Sequence, residues 1–353
     1  MSIEKREVAK LEPEAGADER RSIYDILEEE ITNLGISDAE KVKRLSKLLQ
    51  MRNKRVNVLL AGATGAGKSS TVNALFNMEV AKVGVGVDPE TATITKYELD
   101  NLILWDTPGL GDDVKTDKKI KKDIVKKLNE ISDDGSPLID LVIVILDASS
   151  KDLGTSYDLI NNVLIPVLGA EAEKRILVAL NQSDVAMKGN HWDAENNKPD
   201  EILQKHLEEK ATSVRKRIAE ATGLKLSPIY FCAGYKEDGQ PQRAPYNLTK
   251  LLYHIVKATP KDKRLAFIDN LNDEEENWTY DDRKKDYRKE TFKSFFQSVG
   301  SSIRECSQNG GNIGDMILGV PGKLIGRIMG GGYGAVRGFF GSLFGKRYDK
   351  ACE

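Results

Sequence analysis

The chain has 353 residues, three cysteines and a net charge of −2, with a sequence pI near 6.1. This length permits one large α/β domain with helical additions, or two domains. The near-neutral charge gives no strong signal for nucleic-acid binding. The cysteines, Cys232, Cys306 and Cys352, are too far apart to suggest a disulfide framework or a metal site. Because the N-terminus is charged and no apolar run approaches about twenty residues, we expect a cytoplasmic protein without a signal peptide.

Apolar residues at helical spacing predict two helices before the first strand. In the first helix they are Ile23, Tyr24, Ile26, Leu27 and Ile31. The second helix is predicted to begin at Ser37, and one apolar face would carry Val42, Leu45, Leu48 and Leu49. We expect the two helices to form an N-terminal hairpin within residues 1–54.

Strands and helices alternate from Val56 to residue 258. The predicted elements are strand 56–61, helix 68–77, strands 93–99 and 102–106, helix 117–132, strand 138–147, helix 155–167, strand 175–181, helix 200–221, strand 227–233 and helix 247–257. This alternation predicts an α/β domain over residues 55–258, with a mostly parallel sheet and helices on both faces. Only the tight turn at Asp100-Asn101 predicts an antiparallel pair.

Two further segments follow the α/β domain. Residues 259–308 are charged and predicted to be helical, with Trp278, Phe292, Phe295 and Phe296 as candidate packing residues. Residues 309–353 form a glycine-rich amphipathic segment.

A glycine-rich motif, Gly-Ala-Thr-Gly-Ala-Gly-Lys-Ser, joins the first predicted strand of the α/β domain to its first helix at residues 62–69. Its glycines let several backbone N–H groups point at one anion, and the helix N-terminus adds a favourable dipole. Lys68 can then reach the β- and γ-phosphates of a nucleotide, and the Ser69 hydroxyl can bind Mg²⁺. The motif therefore predicts a P-loop, and the flanking strand and helix argue against a plain surface turn. The candidate binding residues are Gly62, Ala63, Thr64, Gly65, Ala66, Gly67, Lys68, Ser69 and Ser70.

Three more motifs follow predicted strands of the same sheet. They are Asp106-Thr107-Pro108-Gly109, Asn181-Gln182-Ser183-Asp184 and Cys232-Ala233-Gly234. A carboxylate at Asp184 can accept hydrogen bonds from both N1–H and the exocyclic amine of guanine, which adenine cannot offer. Each motif is weak alone. Their order, and their position at the carboxyl ends of strands where open α/β sheets bind ligands, make them a strong joint signal.

This motif set resembles the TRAFAC class of P-loop GTPases, close to Era-like proteins and the bacterial YfjP-type 50S ribosome-binding GTPase family, over roughly residues 55–258. The resemblance implies a P-loop NTPase G domain, which hydrolyses GTP to GDP and phosphate with Mg²⁺. The flanking segments predicted above add helical N- and C-terminal extensions to this domain. It implies that Ser69, Asp106 and a switch-I threonine hold the metal, and that the Gly109 N–H contacts the γ-phosphate. Asn181, Gln182, Asp184, Cys232, Ala233 and Gly234 would bind the base. Gln182 departs from the family's usual lysine.

The switch-I threonine and the group that orients water are less well defined. We favour Thr91 as the metal-binding threonine, with Thr93 second, because Thr95 is expected inside the following strand. Leu110 stands where Ras-type GTPases carry a water-orienting glutamine. The predicted catalytic residues are Lys68, Thr91 and Gly109. Hydrolysis is expected to be slow, with Asp112 or Asp113, a partner, or a homodimer formed through the nucleotide face supplying the missing group.

Glycine recurs every fourth residue in the C-terminal segment, at Gly322, Gly326, Gly330, Gly334 and Gly338. In a helix this spacing gives a ridge without side chains that lets another helix or a bilayer approach closely. The large apolar residues and cations between the glycines predict that residues 316–347 bind an anionic membrane surface. A flexible tail, or a hairpin packed on the G domain, is an equal alternative. A self-assembling dynamin- or septin-like GTPase and a ribosome-associated GTPase remain open as overall functions.

Overall fold

The computed structural model describes residues 22–78, 82–84, 94–234, 243–297 and Phe339. Its strands are β1 Val56–Gly62, β2 Lys82–Gly84, β3 Thr95–Leu99, β4 Leu102–Asp106, β5 Leu141–Asp147, β6 Ile176–Asn181, β7 Trp192–Asp193, β8 Lys198–Pro199 and β9 Ile229–Tyr230. Seven of these strands form one sheet in the order β2-β3-β4-β1-β5-β6-β9, and β7 pairs with β8 separately.

The α-helices are α1 Ile23–Thr32, α2 Asp38–Arg52, α3 Lys68–Leu75, α4 Val114–Leu128, α5 Gly154–Leu159, α6 Ile165–Leu168, α7 Ala172–Arg175, α8 Glu201–Thr222, α9 Leu248–Ala258 and α10 Tyr287–Phe295. A π-helical turn at Ile160–Leu164 joins α5 to α6, so the helix predicted over 155–167 is irregular in its middle. Stretches of 3₁₀ helix cover Lys261–Asn270 and Glu275–Trp278.

The central strands of the sheet are parallel. β1 lies between β4 and β5, and β6 lies between β5 and β9, all in parallel register. β3 runs antiparallel to both β4 and β2, and its turn into β4 places Asp100 at a φ of 43°. The predicted mostly parallel sheet and its antiparallel hairpin are therefore confirmed. Because parallel strands end together, the segments after β1, β4, β6 and β9 meet at one edge.

Helices cover both faces of this sheet because the side chains of each strand alternate between two buried clusters. In β1, Val58 and Leu60 join the cluster formed with α1, α3, α9 and α10. Leu59 and Ala61 join the opposite cluster, formed with α4, α5 and α8. The predicted packing residues Trp278, Phe292, Phe295 and Phe296 are all buried in the first cluster. The segment after residue 259 therefore shares the core of the α/β domain.

The N-terminal hairpin is fastened to this segment through Asp269. The Asp269 carboxylate accepts hydrogen bonds from the Ser22 hydroxyl at 2.6 Å and from the Ile23 backbone N–H at 2.8 Å. Both donors lie at the N-terminus of α1, where free N–H groups favour an anion. Arg52 at the end of α2 also pairs with Asp25 of α1 at 2.8 Å. α1 and α2 are thus joined by an ion pair, and the start of α1 is attached to the segment that follows the α/β domain.

Asp269 should make folding stability depend on pH. Burial raises the pKa of Asp269 to about 6 from its ordinary value of 3.8. Because the folded state holds this proton more tightly than the unfolded chain, the stabilising contribution is complete below about pH 4. It is lost as pH rises to about 6, by up to roughly 3 kcal/mol. We expect Asp269→Asn to flatten this part of the stability profile measured by urea unfolding.

The comparison requires a second variant that loses one carboxylate at the surface. Asp38→Asn, at an exposed position in the first turn of α2, is the matched control. A profile for Asp269→Asn that runs parallel to that of the unmodified chain between pH 4 and 6 would contradict the assignment.

Some sequence predictions are wrong in detail. Val42 and Leu49 are 63% and 58% exposed, because α2 packs through a narrower stripe that includes Leu48 and Met51. The helix predicted over 117–132 begins at Val114 and ends at Leu128. The strand predicted over 227–233 leaves the sheet after Tyr230, since Cys232 pairs in antiparallel fashion with Tyr246 instead.

The C-terminal segment lies outside the described residues except for Phe339, so the five regularly spaced glycines have no structural description. In the part of the chain that is described, no helix is both long enough and apolar enough to cross a bilayer.

Candidate nucleotide-binding site

The P-loop is the turn between β1 and α3. Gly65 and Gly67 have φ values of 75° and 85°, in the left-handed region that glycine adopts without strain. A Cβ atom at Gly67 would also lie 2.2 Å from Nδ2 of Asn181, so this position has no room for a side chain. The turn ends at the N-terminus of α3, where backbone N–H groups and the helix dipole favour a bound phosphate.

Lys68 lies in the turn with little solvent around it. Its Nζ donates to the carbonyl oxygens of Gly62 at 3.3 Å and Ala63 at 3.1 Å. Burial lowers the pKa of Lys68, and the carboxylates of Asp106 and Asp112 oppose this effect. In the described part of the chain the hydrogen-bond acceptors of Lys68 are these two carbonyls, while Asp106 and Asp112 act on its charge from a distance. A buried ammonium with neutral partners is costly, so the site favours an anion beside it.

Ser69 and Asp106 bring together the oxygen atoms expected at a Mg²⁺ site. The Ser69 hydroxyl donates to Oδ2 of Asp106 at 2.9 Å. Oδ1 of Asp106 is buried and has no hydrogen-bond partner among the described residues. Burial raises the pKa of Asp106 despite the Ser69 hydrogen bond and the nearby Lys68. Hydroxyl and carboxylate oxygens are the ligands Mg²⁺ prefers, so these residues fit that ion.

The base-recognition motifs are tied to the P-loop by side-chain amides. Asn181 donates to the Ala66 carbonyl at 3.0 Å and accepts from the Ala233 backbone N–H at 3.0 Å. Gln182 donates to the Gly65 carbonyl at 2.6 Å. The glutamine at position 182 therefore still links two loops, which is the structural part of the role expected of a lysine there.

Asp184 is 7% exposed and lies beside the thiol of Cys232. Burial raises the pKa of that thiol, and the Asp184 carboxylate acts in the same direction. The Cys232 thiol also accepts from the Gly234 backbone N–H at 3.4 Å. Asp184 and the 232–234 turn are thus adjacent, as recognition of one base requires.

The segment after β4 closes directly on the P-loop. The Thr64 N–H donates to the Leu110 carbonyl at 2.9 Å, and the Leu110 N–H donates to the Gly62 carbonyl at 3.2 Å. The Thr64 hydroxyl donates to Asp112 at 2.8 Å. A Cβ atom at Gly109 would lie 2.4 Å from Cα of Thr64. Gly109 is therefore packed against the P-loop with no room for a side chain.

Residues 57–182 match the sequence model of the 50S ribosome-binding GTPase family. The central domain has the fold of a P-loop GTPase.

Two curated relatives are each a "Probable GTP-binding protein EngB". The protein from Methanococcus aeolicus is 28% identical over 127 residues, covering 35% of this chain and 55% of the relative. The protein from Methanococcus maripaludis is 27% identical over 172 residues, covering 47% of this chain and 73% of the relative. The chain thus spans about half the length of the first relative. Among solved structures, the G domain of the T. maritima FeoB iron transporter is 22% identical, with a TM-score of 0.32. That match covers 58% of this chain and 98% of the FeoB domain.

The α/β domain brings most of the predicted site residues together at one sheet edge. Residues 62–69, Asp106, Gly109, Asn181, Gln182, Asp184 and residues 232–234 converge there, and Ser70 is exposed on α3. Thr91 and Thr93 lie outside the described residues. Thr95 opens β3, as predicted.

Two groups near the P-loop have contacts that the sequence did not indicate. Asp113 caps α4, because its carboxylate accepts from the Thr116 N–H and hydroxyl, each at 2.9 Å. That role explains why α4 begins at Val114, before the predicted residue 117. The Thr64–Asp112 hydrogen bond was also missed. The spacing Asp113-x-x-Thr116 is a recognisable capping signal, whereas no sequence signal joins Thr64 to Asp112.

Proposed function

We propose that this chain is a nucleotide-dependent switch that binds GTP with Mg²⁺ and hydrolyses it slowly to GDP and phosphate. The observation that carries the proposal is Lys68. A buried cation at the N-terminus of α3, held by carbonyl oxygens alone among the described residues, gains a strong partner when a triphosphate binds. The paired oxygens of Ser69 and Asp106 support Mg²⁺ as the accompanying ion.

The proposed base is guanine. Asp184 is adjacent to the backbone of the 232–234 turn, and Asn181 joins that turn to the P-loop. A carboxylate reads the two donors on the guanine edge, whereas adenine presents an acceptor at N1. On the basis of its motifs, the chain resembles Era-like and YfjP-type GTPases.

The proposed hydrolysis is slow in the isolated chain. Leu110 is 1% exposed and apolar, so it offers water neither a donor nor an acceptor. Asp112 is the polar residue nearest in sequence that still faces the P-loop, and Thr64 holds it. We propose that a second copy, meeting the first through the nucleotide face, completes the site.

Phosphate release per chain, measured against protein concentration with saturating GTP and Mg²⁺, tests this function. We expect a low rate at nanomolar protein that rises severalfold towards micromolar concentrations. Lys68→Met is the inactive control. A measurable rate that is independent of concentration contradicts the homodimer, and no phosphate release at any concentration contradicts GTP hydrolysis.

We also propose that residues 316–347 contact anionic membranes, from their large apolar side chains and interspersed Lys and Arg. Centrifugation of the chain with anionic vesicles, with neutral vesicles and without vesicles tests this contact. Co-sedimentation of the chain with anionic vesicles only is the expected result. Equal sedimentation with neutral vesicles would contradict electrostatic recognition, and recovery of the chain in the supernatant would contradict membrane binding.

A further inference from the structure

Phe339, the one described residue of the C-terminal segment, packs into the core. Its ring meets the Trp278 ring edge-on, with centroids 4.9 Å apart and an interplanar angle of 89°. Both side chains are 0% exposed, and both belong to the cluster that contains α3 and α9. Edge-to-face aromatic pairs are favourable beyond the area they bury. Trp278 is therefore covered by an aromatic residue that lies far from it along the chain, in the glycine-rich segment.

Trp278 ends a stretch that is bonded to the C-terminal end of α3. We call residues 270–277, which lead to Trp278, the strap. The Asn77 N–H donates to the Asn270 carbonyl, and the Asn272 N–H donates to the Leu75 carbonyl, each at 3.0 Å. The Asn272 amide also donates to the Asn73 carbonyl at 2.9 Å.

The strap and Trp278 form one unit with this end of the helix. The indole N–H of Trp278 donates to the Asn272 carbonyl at 2.9 Å, which fixes the ring against the strap. Phe76, which follows α3, pairs with Leu271 of the strap and stacks on Phe267 with centroids 6.1 Å apart. A displacement of the C-terminal end of α3 must therefore also move Trp278, against which Phe339 packs.

The other end of α3 carries the phosphate-binding residues Lys68 and Ser69. The helix has eight residues and is about 12 Å long at 1.5 Å per residue. A shift at its N-terminus would therefore be carried to its C-terminal end. As described, Lys68 and Ser69 bond to carbonyl oxygens and to Asp106, and Gly109 lies against Thr64. A γ-phosphate bound by Lys68 and Ser69 would replace these contacts and would thereby shift the start of α3 relative to the sheet.

We propose that the strap and Trp278 are the docking surface for the chain's own C-terminal segment, with Phe339 as its anchor, and that GTP binding weakens this docking. The nucleotide part rests on the proposed function, whereas the docking part does not. Because coupling between two sites is reciprocal, loss of Phe339 must strengthen GTP binding by the factor through which GTP weakens docking. Phe339 lies within residues 316–347, which we propose to contact membranes. GTP binding would therefore release these residues for that contact.

The docking is tested with Trp278 as the single tryptophan, after Trp105→Phe and Trp192→Phe. Phe339→Ala should at least double the quenching of Trp278 fluorescence by acrylamide, whereas Phe339→Leu should have a smaller effect. Phe344→Ala, in the same glycine-rich segment, is the matched control and should have none. Unchanged quenching in Phe339→Ala overturns the docking. If acrylamide quenching of Trp278 in the protein that retains Phe339 depends on protein concentration, intramolecular docking is overturned and a second copy of the chain is the occupant.

The coupling is tested with GDP and with a non-hydrolysable GTP analogue on the same protein. The analogue should raise Trp278 quenching when Phe339 is present and should have no effect in Phe339→Ala. Calorimetry should find severalfold tighter binding of the analogue to Phe339→Ala, with GDP affinity unchanged. Binding of the analogue with neither change overturns the coupling. Absence of any nucleotide binding overturns the proposed function and the coupling with it, and leaves the docking to be decided by quenching alone.

Discussion

Lys68→Met is expected to weaken GTP binding by well over tenfold. The ammonium lies at the N-terminus of α3 with two carbonyl oxygens as its partners, so a triphosphate gains a charge-assisted contact that methionine cannot supply. Such contacts are roughly twice as strong as neutral hydrogen bonds. Methionine keeps most of the apolar stem and the buried volume. Isothermal titration calorimetry with GTP and Mg²⁺ measures the loss.

The same substitution should not lower the thermal stability of the nucleotide-free chain. Burial lowers the pKa of Lys68, so the charge is held at a cost until an anion is present. Lys119→Met, at an exposed position in α4, is the matched control and should leave both quantities unchanged. Unaltered GTP affinity in Lys68→Met would refute the P-loop assignment. A large loss of stability would show instead that Lys68 has a structural role.

Asp184→Asn is expected to change base preference from guanine to xanthine. The carboxylate accepts from N1–H and the exocyclic amine of guanine, and each hydrogen bond to a charged group contributes about 1.5–3 kcal/mol. An amide can accept from N1–H of xanthine and donate to its C2 carbonyl. GTP affinity should therefore fall by about 10- to 100-fold, while XTP affinity rises.

Competition between GTP and XTP, measured with a fluorescent GDP analogue, gives the preference directly. Asp133→Asn, an exposed carboxylate far along the chain from the base motif, is the control. Full retention of GTP preference in Asp184→Asn would mean that the base is read by another group.

The sequence predicts the α/β fold well because each signal is local. The apolar run at β1, the glycine turn and the start of α3 are contiguous, and a parallel sheet then brings the later motifs to the same edge. The order of Asp106, Asn181 and Asp184 along the chain is therefore enough to predict their convergence. The structure adds the bonds that hold them, such as the two made by Asn181.

Features that depend on distant parts of the chain are not evident from the sequence. Leu49 continues the helical spacing of α2, yet it is exposed because no element covers that side of the helix in the described part of the chain. The strand that ends at Tyr230 is short because Cys232 forms an antiparallel bridge with Tyr246. Likewise, the glycine spacing gives no indication that Phe339 reaches Trp278. Tertiary contacts decide all three cases.

The central claim, a guanine-nucleotide switch, is tested most directly by calorimetric titration of the full chain with GTP, GDP and ATP in the presence and absence of Mg²⁺. We predict that GTP and GDP bind at one site per chain, that ATP binds at least about 100-fold more weakly, and that removing Mg²⁺ weakens GTP binding. The predicted discrimination follows from buried hydrogen-bonding groups around the base that adenine leaves unpaired. Equal affinity for ATP and GTP, or no binding of either, would contradict the account.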